Sequence, residues 1–158
     1  MMEADRMDDM VHVTRWRWGR KEWSPFSAAE MDRRQDALRA HMAAEDIDAC
    51  LLTSYQNICY HSGWIYCFFG RKYGMVIDAD QASTISAGID GGQPWRRTHG
   101  DNLVYSDWRR DNYYRAVRDL TGGVSRLGVE FDHLSVDQFR ALESALPGVE
   151  LVDVGTAT

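Results

Sequence analysis

The apolar period changes repeatedly along this chain, between the spacing of helices and the short continuous runs of buried strands, and that alternation restricts the fold more than any single motif does. Ser27-Ala28-Ala29-Glu30 reads as a capping box, in which the serine oxygen takes one free amide of the first turn and the glutamate returns to another. Met31, Leu38 and Met42, with Ala37 and Ala44 nearby, follow as a helical stripe, so a helix is expected to about Glu45. The run Ile47-Asp48-Ala49-Cys50-Leu51-Leu52 then reads as a buried strand. Thr53 to His61 is expected as a loop with one or two helical turns.

The same alternation continues downstream. Tyr73 to Ile77 and Ser83 to Ala87 are strand candidates, and Asp78-Ala79-Asp80 between them supplies the turn of a hairpin. Gly88 to Asp101, rich in Gly and holding Pro94, is expected as a long loop. Leu103-Val104-Tyr105 is a strand, and Asp107 caps a helix through Tyr114 and Val117 to Leu120, stopped by Gly122-Gly123. Leu127 to Phe131 is a strand. Ser135-Val136-Asp137-Gln138 is a second capping box, opening a helix to about Leu146, and Val149 to Val154 closes as a strand. Strands alternating with helices imply an α/β fold of three layers, with a mixed, mostly parallel sheet covered by helices on both faces. The domain is expected over residues 26–158, with residues 1–25 as a Trp/Arg-rich N-terminal extension.

Composition excludes several functions. The net charge of −6 argues against nucleic acid, which needs a basic face. Trp16, Trp18 and Trp23 alternate with Arg15, Arg17, Arg20 and Lys21, but in so acidic a chain they are expected to pack along their own domain or a partner subunit. No apolar run approaches the roughly 18 residues of a membrane span, and the first residues lack the apolar stretch of a secretory signal, so a cytoplasmic protein is expected. Cys50, Cys59 and Cys67 match neither a disulfide framework nor a metal spacing; they are expected to be reduced and mostly buried, with no metal and no cofactor. There is no phosphate-binding glycine loop and no G-x-S-x-G elbow, and the five histidines are scattered. Asp107 and Asp111, beside Arg109 and Arg110, read as a solvated helix start rather than as paired catalytic carboxylates. Composition and spacing leave the task of the domain open.

Specific strings carry more. Thr53-Ser54-Tyr55-Gln56-Asn57-Ile58, Tyr66-Cys67-Phe68-Phe69-Gly70-Arg71 and Ile89-Asp90-Gly91-Gly92-Gln93-Pro94-Trp95-Arg96-Arg97-Thr98 closely resemble the N-terminal half of creatinases. So do Asp101 to Trp108, Arg110-Asp111-Asn112-Tyr113, Glu130-Phe131-Asp132-His133-Leu134 and Glu150-Leu151-Val152-Asp153-Val154. The resemblance spans about residues 26 to 154 and is more specific than the loose pattern shared with prolidases and aminopeptidases P. It implies a ribonuclease H-like domain, joined in the parent protein to a C-terminal "pita-bread" catalytic domain and paired in a homodimer. No catalytic residue is then expected in this chain. The resemblance instead places Phe69 and Arg71 in the neighbouring subunit's active site as substrate-binding residues. Trp95, Arg96, Arg97 and Trp108 are expected at interfaces.

The chemistry is consistent with that implication. A creatine-like substrate has a guanidinium at one end and a carboxylate at the other. An arginine offers the carboxylate a planar, bidentate fork, and a phenylalanine can pack on the flat cationic end. Gly63-Trp64 and Cys59 depart from the family pattern beside this segment. Three readings follow: an amidinohydrolase fragment that yields urea and sarcosine, the equivalent domain of a dinuclear-metal proline peptidase, or a stand-alone interaction module.

Overall fold

The computed structural model describes residues 13–22, 24–67, 70–106, 111–155 and 157. Its strands and helices alternate from β1 (Val13–Thr14) through α1 (Ala28–Ala44), β2 (Ala49–Leu52), α2 (Tyr55–Ser62), β3 (Gly74–Asp78) and β4 (Ala82–Ala87). A single 3₁₀ turn (Gly88–Asp90) and a short helix α3 (Gln93–Arg97) follow, then β5 (Asp101–Tyr105), α4 (Asn112–Leu120), β6 (Arg126–Val129), α5 (Val136–Ala145) and β7 (Glu150–Asp153). Among the described residues the strands form one sheet in the order β1-β5-β4-β3-β2-β6-β7.

The sheet is mixed, as expected. β2/β6, β6/β7 and β4/β5 run parallel, while β2/β3, β3/β4 and β1/β5 run antiparallel. The antiparallel share exceeds what the helix–strand alternation suggests, because the β3–β4 hairpin lies mid-sheet and an unforeseen N-terminal strand adds to one edge. Asp78 closes the hairpin by accepting the Asp80 and Gln81 amides at 2.8 and 2.6 Å. That is the usual reason for an aspartate at such a turn.

Alternate side chains of each strand serve opposite layers. Ala49, Leu51, Val76, Leu127 and Val129 pack with Tyr113, Ala116 and Val117 of α4 and Leu142 of α5. Cys50, Leu52, Met75 and Ile77 pack with Leu38 and Met42 of α1 and Ile58 of α2. Gly128 permits the close fit of β6: a Cβ there would lie 2.7 Å from both Cys50 Sγ and Val154 Cγ1.

Several local expectations need correction. Ser27 caps α1 by accepting the Glu30 amide, but Glu30 turns its carboxylate to Arg33 and Arg34 instead of closing a box. The reciprocal box forms only at Ser135 and Gln138, at the start of α5. The expected loop from Gly88 contains α3, because Pro94 sits in the first helical turn, where its missing N–H costs nothing. Helix α4 starts at Asn112; Asp107 to Arg110 lie outside the described residues, and so does the expected cap. Cys67 is exposed, whereas Cys50 is buried and its thiol is pushed up to about 12, chiefly by burial.

The N-terminal segment is part of this architecture. Val13 and Thr14 pair with Tyr105 and Val104 on the outer edge of β5. Arg15 and Arg17 both bind Asp101. Lys21 Nζ donates to the carbonyls of Trp95, Thr98 and Gly100 at 2.7, 2.8 and 2.7 Å, and lies 3.6 Å from the Trp95 ring centre. Trp16 and Trp18 stack on each other with centroids 5.0 Å apart, and Trp23 lies outside the described residues.

Candidate functional site

The site is built where the parallel strands β2 and β6 end together. Beyond β2, Thr53 and Ser54 turn the chain into α2; beyond β6 the next residue is Glu130, only 1% exposed. Its carboxylate accepts the amides of Thr53 and Ser54, the latter at 2.8 Å. It also accepts the Ser54 hydroxyl at 2.6 Å and Asn57 Nδ2 at 2.5 Å. Burial pushes this carboxyl up, but the hydrogen bonds from Ser54, Thr53 and Asn57 outweigh burial and hold it below the usual carboxylate range. A buried anion therefore sits at the N-terminus of α2, where the helix dipole favours it. Thr53 Oγ1 extends the network, 3.3 Å from Glu130 Oε2 and 3.0 Å from His133 Nδ1.

A second element approaches from α2. Helix α2 ends at Gly63, whose left-handed φ of 74° lets its amide reach Cys59 O at 2.9 Å. The chain then runs back to β3 through Trp64, Tyr66 and Tyr73, whose rings meet at 4.6 Å (Trp64–Tyr66) and 4.4 Å (Tyr66–Tyr73). This aromatic cluster anchors both ends of the segment that carries Phe69, Gly70 and Arg71. Gly70 has φ +71° and open space around it, so its glycine answers a backbone requirement rather than a crowded contact. Phe69 lies outside the described residues.

Arg71 opens onto a half-enclosed cavity of about 250 Å³. Thr53, Lys72, Tyr73, Tyr113, Tyr114, His133 and Gln138 share its lining. Two fixed cations, a histidine and several phenols around so small a volume suit a carboxylate or another small anion. Lys72 also borders a wider groove between α4 and α5, with Arg115, Arg118, Asp111 and Asp137.

The other residues singled out from the sequence lie elsewhere. Trp95, Arg96 and Arg97 sit on α3, against the N-terminal segment of their own chain. Trp95 Nε1 donates to Gly19 O at 3.2 Å, Arg97 Nε meets Glu22 at 3.0 Å and Arg96 Nε approaches it at 3.6 Å. Trp108 lies outside the described residues. The sequence reading gave Glu130, Thr53 and His133 no role of their own. The available signal was an acidic residue placed directly after the apolar run Leu127-Gly128-Val129, where a buried strand ends opposite a Thr-Ser helix cap.

An α/β domain with a central mixed sheet of this kind is a frame that known proteins share. Residues 34–158 match the Creatinase/Prolidase N-terminal domain family, and the chain belongs to that family. It is 48% identical over 143 residues to a creatinase from Bacillus sp. (strain B-0618), covering 88% of this chain. That match takes in 35% of the relative, so the chain spans about a third of the creatinase's length. Among solved structures, the N-terminal domain of an X-Pro dipeptidase from Streptococcus pyogenes superposes with a TM-score of 0.68 at 14% identity, covering 82% of this chain and 96% of that one. The N-terminal domain of the cytoplasmic peptidase PepQ from Mycobacterium tuberculosis H37Rv superposes with a TM-score of 0.63 at 27% identity, covering 79% of this chain and 95% of that one.

Proposed function

We propose that this chain is the amino-terminal domain of a creatinase-type amidinohydrolase, which adds water to the guanidino carbon of creatine and releases urea and sarcosine. The observation that carries the reading is the contrast in identity: 48% to a creatinase, against 14% and 27% to peptidase domains of the same fold. In this reading the domain performs no bond-breaking itself. The proton-transfer and guanidinium-binding groups belong to a C-terminal catalytic domain, and no metal or other cofactor takes part. Phe69 and Arg71 reach the active site of a second subunit in a cytoplasmic homodimer. Trp95, Arg96, Arg97 and Trp108 serve domain or subunit contacts, the first three by way of the N-terminal segment that covers them.

The geometry around Arg71 supports the division of labour. A planar guanidinium on an exposed segment, held between two aromatic anchors, can present a fork to a carboxylate without much loss of side-chain freedom. The neighbouring Lys72 adds a second positive charge.

The decisive experiment uses the parent protein with its C-terminal domain. Arg71→Ala should lower kcat/KM for creatine by roughly thirty- to a thousand-fold, the equivalent of losing about 2–4 kcal/mol from a charge-assisted pair. Arg71→Lys should restore only part, because an ammonium cannot form the fork. If the arginine acts across the dimer, a mixed dimer of Arg71→Ala with a subunit whose own C-terminal proton-transfer group has been removed recovers one working site. Near-normal activity of Arg71→Ala would refute the substrate role, and cleavage of X-Pro dipeptides by the parent, without creatine turnover, would refute the reaction.

A further inference from the structure

His133 stands in the turn between β6 and α5, whose amides at 133 and 134 both donate to Glu130 O at 3.1 and 3.0 Å. Its ring borders the cavity beside Arg71 on one side and a shallower groove with Tyr55 and Tyr66 on the other. The hydrogen-bond chain behind it fixes which nitrogen carries the proton. An ionised Glu130 can only accept, so the Thr53 hydroxyl, 3.3 Å from Glu130 Oε2, must point its hydrogen there. Thr53 Oγ1 then offers His133 a lone pair at 3.0 Å, and Nδ1 is the nitrogen that holds a hydrogen. In the neutral ring Nε2 is left as a bare acceptor.

A bare acceptor repels a carboxylate, whereas a protonated one binds it. We propose that His133 is a second partner for a ligand carboxylate in this cavity, beside Arg71, and that its Nε2 takes up a proton from solvent as the carboxylate binds. This rests on the reading of Arg71 as a carboxylate ligand. The surrounding charges define the balance. Among the described residues, Arg71 and Lys72 share the cavity with the ring, and Glu130 stands behind Thr53. Tyr55, Tyr66, Tyr113 and Tyr114 have phenols raised by burial and stay uncharged. Tyr73 turns its hydroxyl toward Asp90 at 3.4 Å, and Asp132, on the turn itself, lies against Gly155.

The test uses the parent protein with its C-terminal domain, ¹⁵N-labelled at histidine, with creatine, and with methylguanidine as the counterpart lacking a carboxylate. Long-range ¹H–¹⁵N spectra should show the Nδ1–H tautomer of His133 without ligand and the doubly protonated ring with creatine, but not with methylguanidine. Creatine affinity should rise by up to about tenfold per pH unit of decrease while one proton is taken up. His133→Gln, on an exposed turn, should keep Arg71-dependent binding and flatten that pH dependence. An Nε2–H tautomer in the ligand-free protein overturns the proposal. So does creatine binding without protonation of the ring, or the absence of any carboxylate-dependent shift. If Arg71→Ala abolishes binding while His133→Gln retains the pH dependence, His133 alone has failed. If Arg71→Ala binds creatine normally, the reading of Arg71 has failed with it.

Discussion

Replacing Glu130 by glutamine removes a single charge and almost no volume, so it isolates what the buried carboxylate contributes. In the native protein both oxygens are acceptors for the Thr53 and Ser54 amides, the Ser54 hydroxyl and the Asn57 amide. A carboxamide keeps one oxygen and turns an NH₂ group toward N–H donors that cannot accept, on either side, since each carboxylate oxygen has at least one. At least one buried donor loses its partner, at about 1–3 kcal/mol. The α2 N-terminus also loses its anion, at about 0.3–1 kcal/mol. A total of about 3 kcal/mol at neutral pH corresponds to a melting temperature lower by roughly 6–12 °C for a domain of this size. The pH dependence identifies the cause. The carboxyl of Glu130 is depressed in the fold, so its contribution is complete above the unfolded value near 4.3 and is lost as pH falls through the folded value. Urea denaturation of both proteins at pH 7 and at successively lower pH measures this: the gap should be widest at pH 7 and close in acid. A gap below about 0.5 kcal/mol at pH 7, or one that does not vary with pH, would refute the claim that the ionised carboxylate holds these strand ends together.

His61, 3% exposed and with both ring nitrogens unpartnered among the described residues, is lowered to about 4 by burial first and by Arg34 second. It is neutral in the fold and charges more readily when unfolded, so stability should fall by roughly 3 kcal/mol as pH drops from about 6.5 to 4, and His61→Phe should flatten that slope in urea titrations. Gly128→Ala puts a methyl group 2.7 Å from Cys50 and Val154 and should cost about 1–3 kcal/mol, read as a lower denaturation midpoint. Lys21→Met removes three hydrogen bonds to carbonyls around α3 and should speed amide hydrogen exchange in residues 13–22 and 93–101, with β2 and β6 unaffected. The Asp101 carboxyl is pushed up by burial but held below its ordinary range by Arg17 and Arg15, so Asp101→Asn should loosen the same segment, by an amount that shrinks in high salt.

The layers were readable because their signals are local. The stripe Met31, Leu38, Met42 and the run from Ile47 to Leu52 each name their own buried face, and Asp78 announces its turn by what its side chain does two and three residues on. Sheet order was not readable, since β2 lies between β3 and the distant β6 through contacts of large sequence separation. The strand at Val13 escaped notice for a related reason. Two residues carry no periodicity, and the segment is held by ionic and cation–π contacts to Asp101 and Trp95 that are invisible until α3 and β5 are in place. The Arg71 segment was legible only as a resemblance. Nothing in the spacing of Gly70 and Arg71 shows that Thr53, 18 residues before Arg71, and His133, 62 residues after it, would share a cavity with them.

That convergence explains why a rigid buried anion belongs next to an exposed arginine. Besides α4 and α5, the cavity is lined by three chain segments with no covalent reason to keep their spacing: the start of α2, the return toward β3 and the turn after β6. Glu130 ties the first to the third through four donors, and the ring cluster of Trp64, Tyr66 and Tyr73 ties the second to the layer beneath. Hydrogen bonds to a buried carboxylate have narrow distance tolerance, so the relative shift allowed between β2 and β6 is small. Aromatic packing holds the Arg71 segment separately, and the left-handed Gly70 marks a bend in it. In the proposed carboxylate-binding role, the Glu130 network would fix the wall that carries Thr53 and His133, while Arg71 stands on a separately anchored segment.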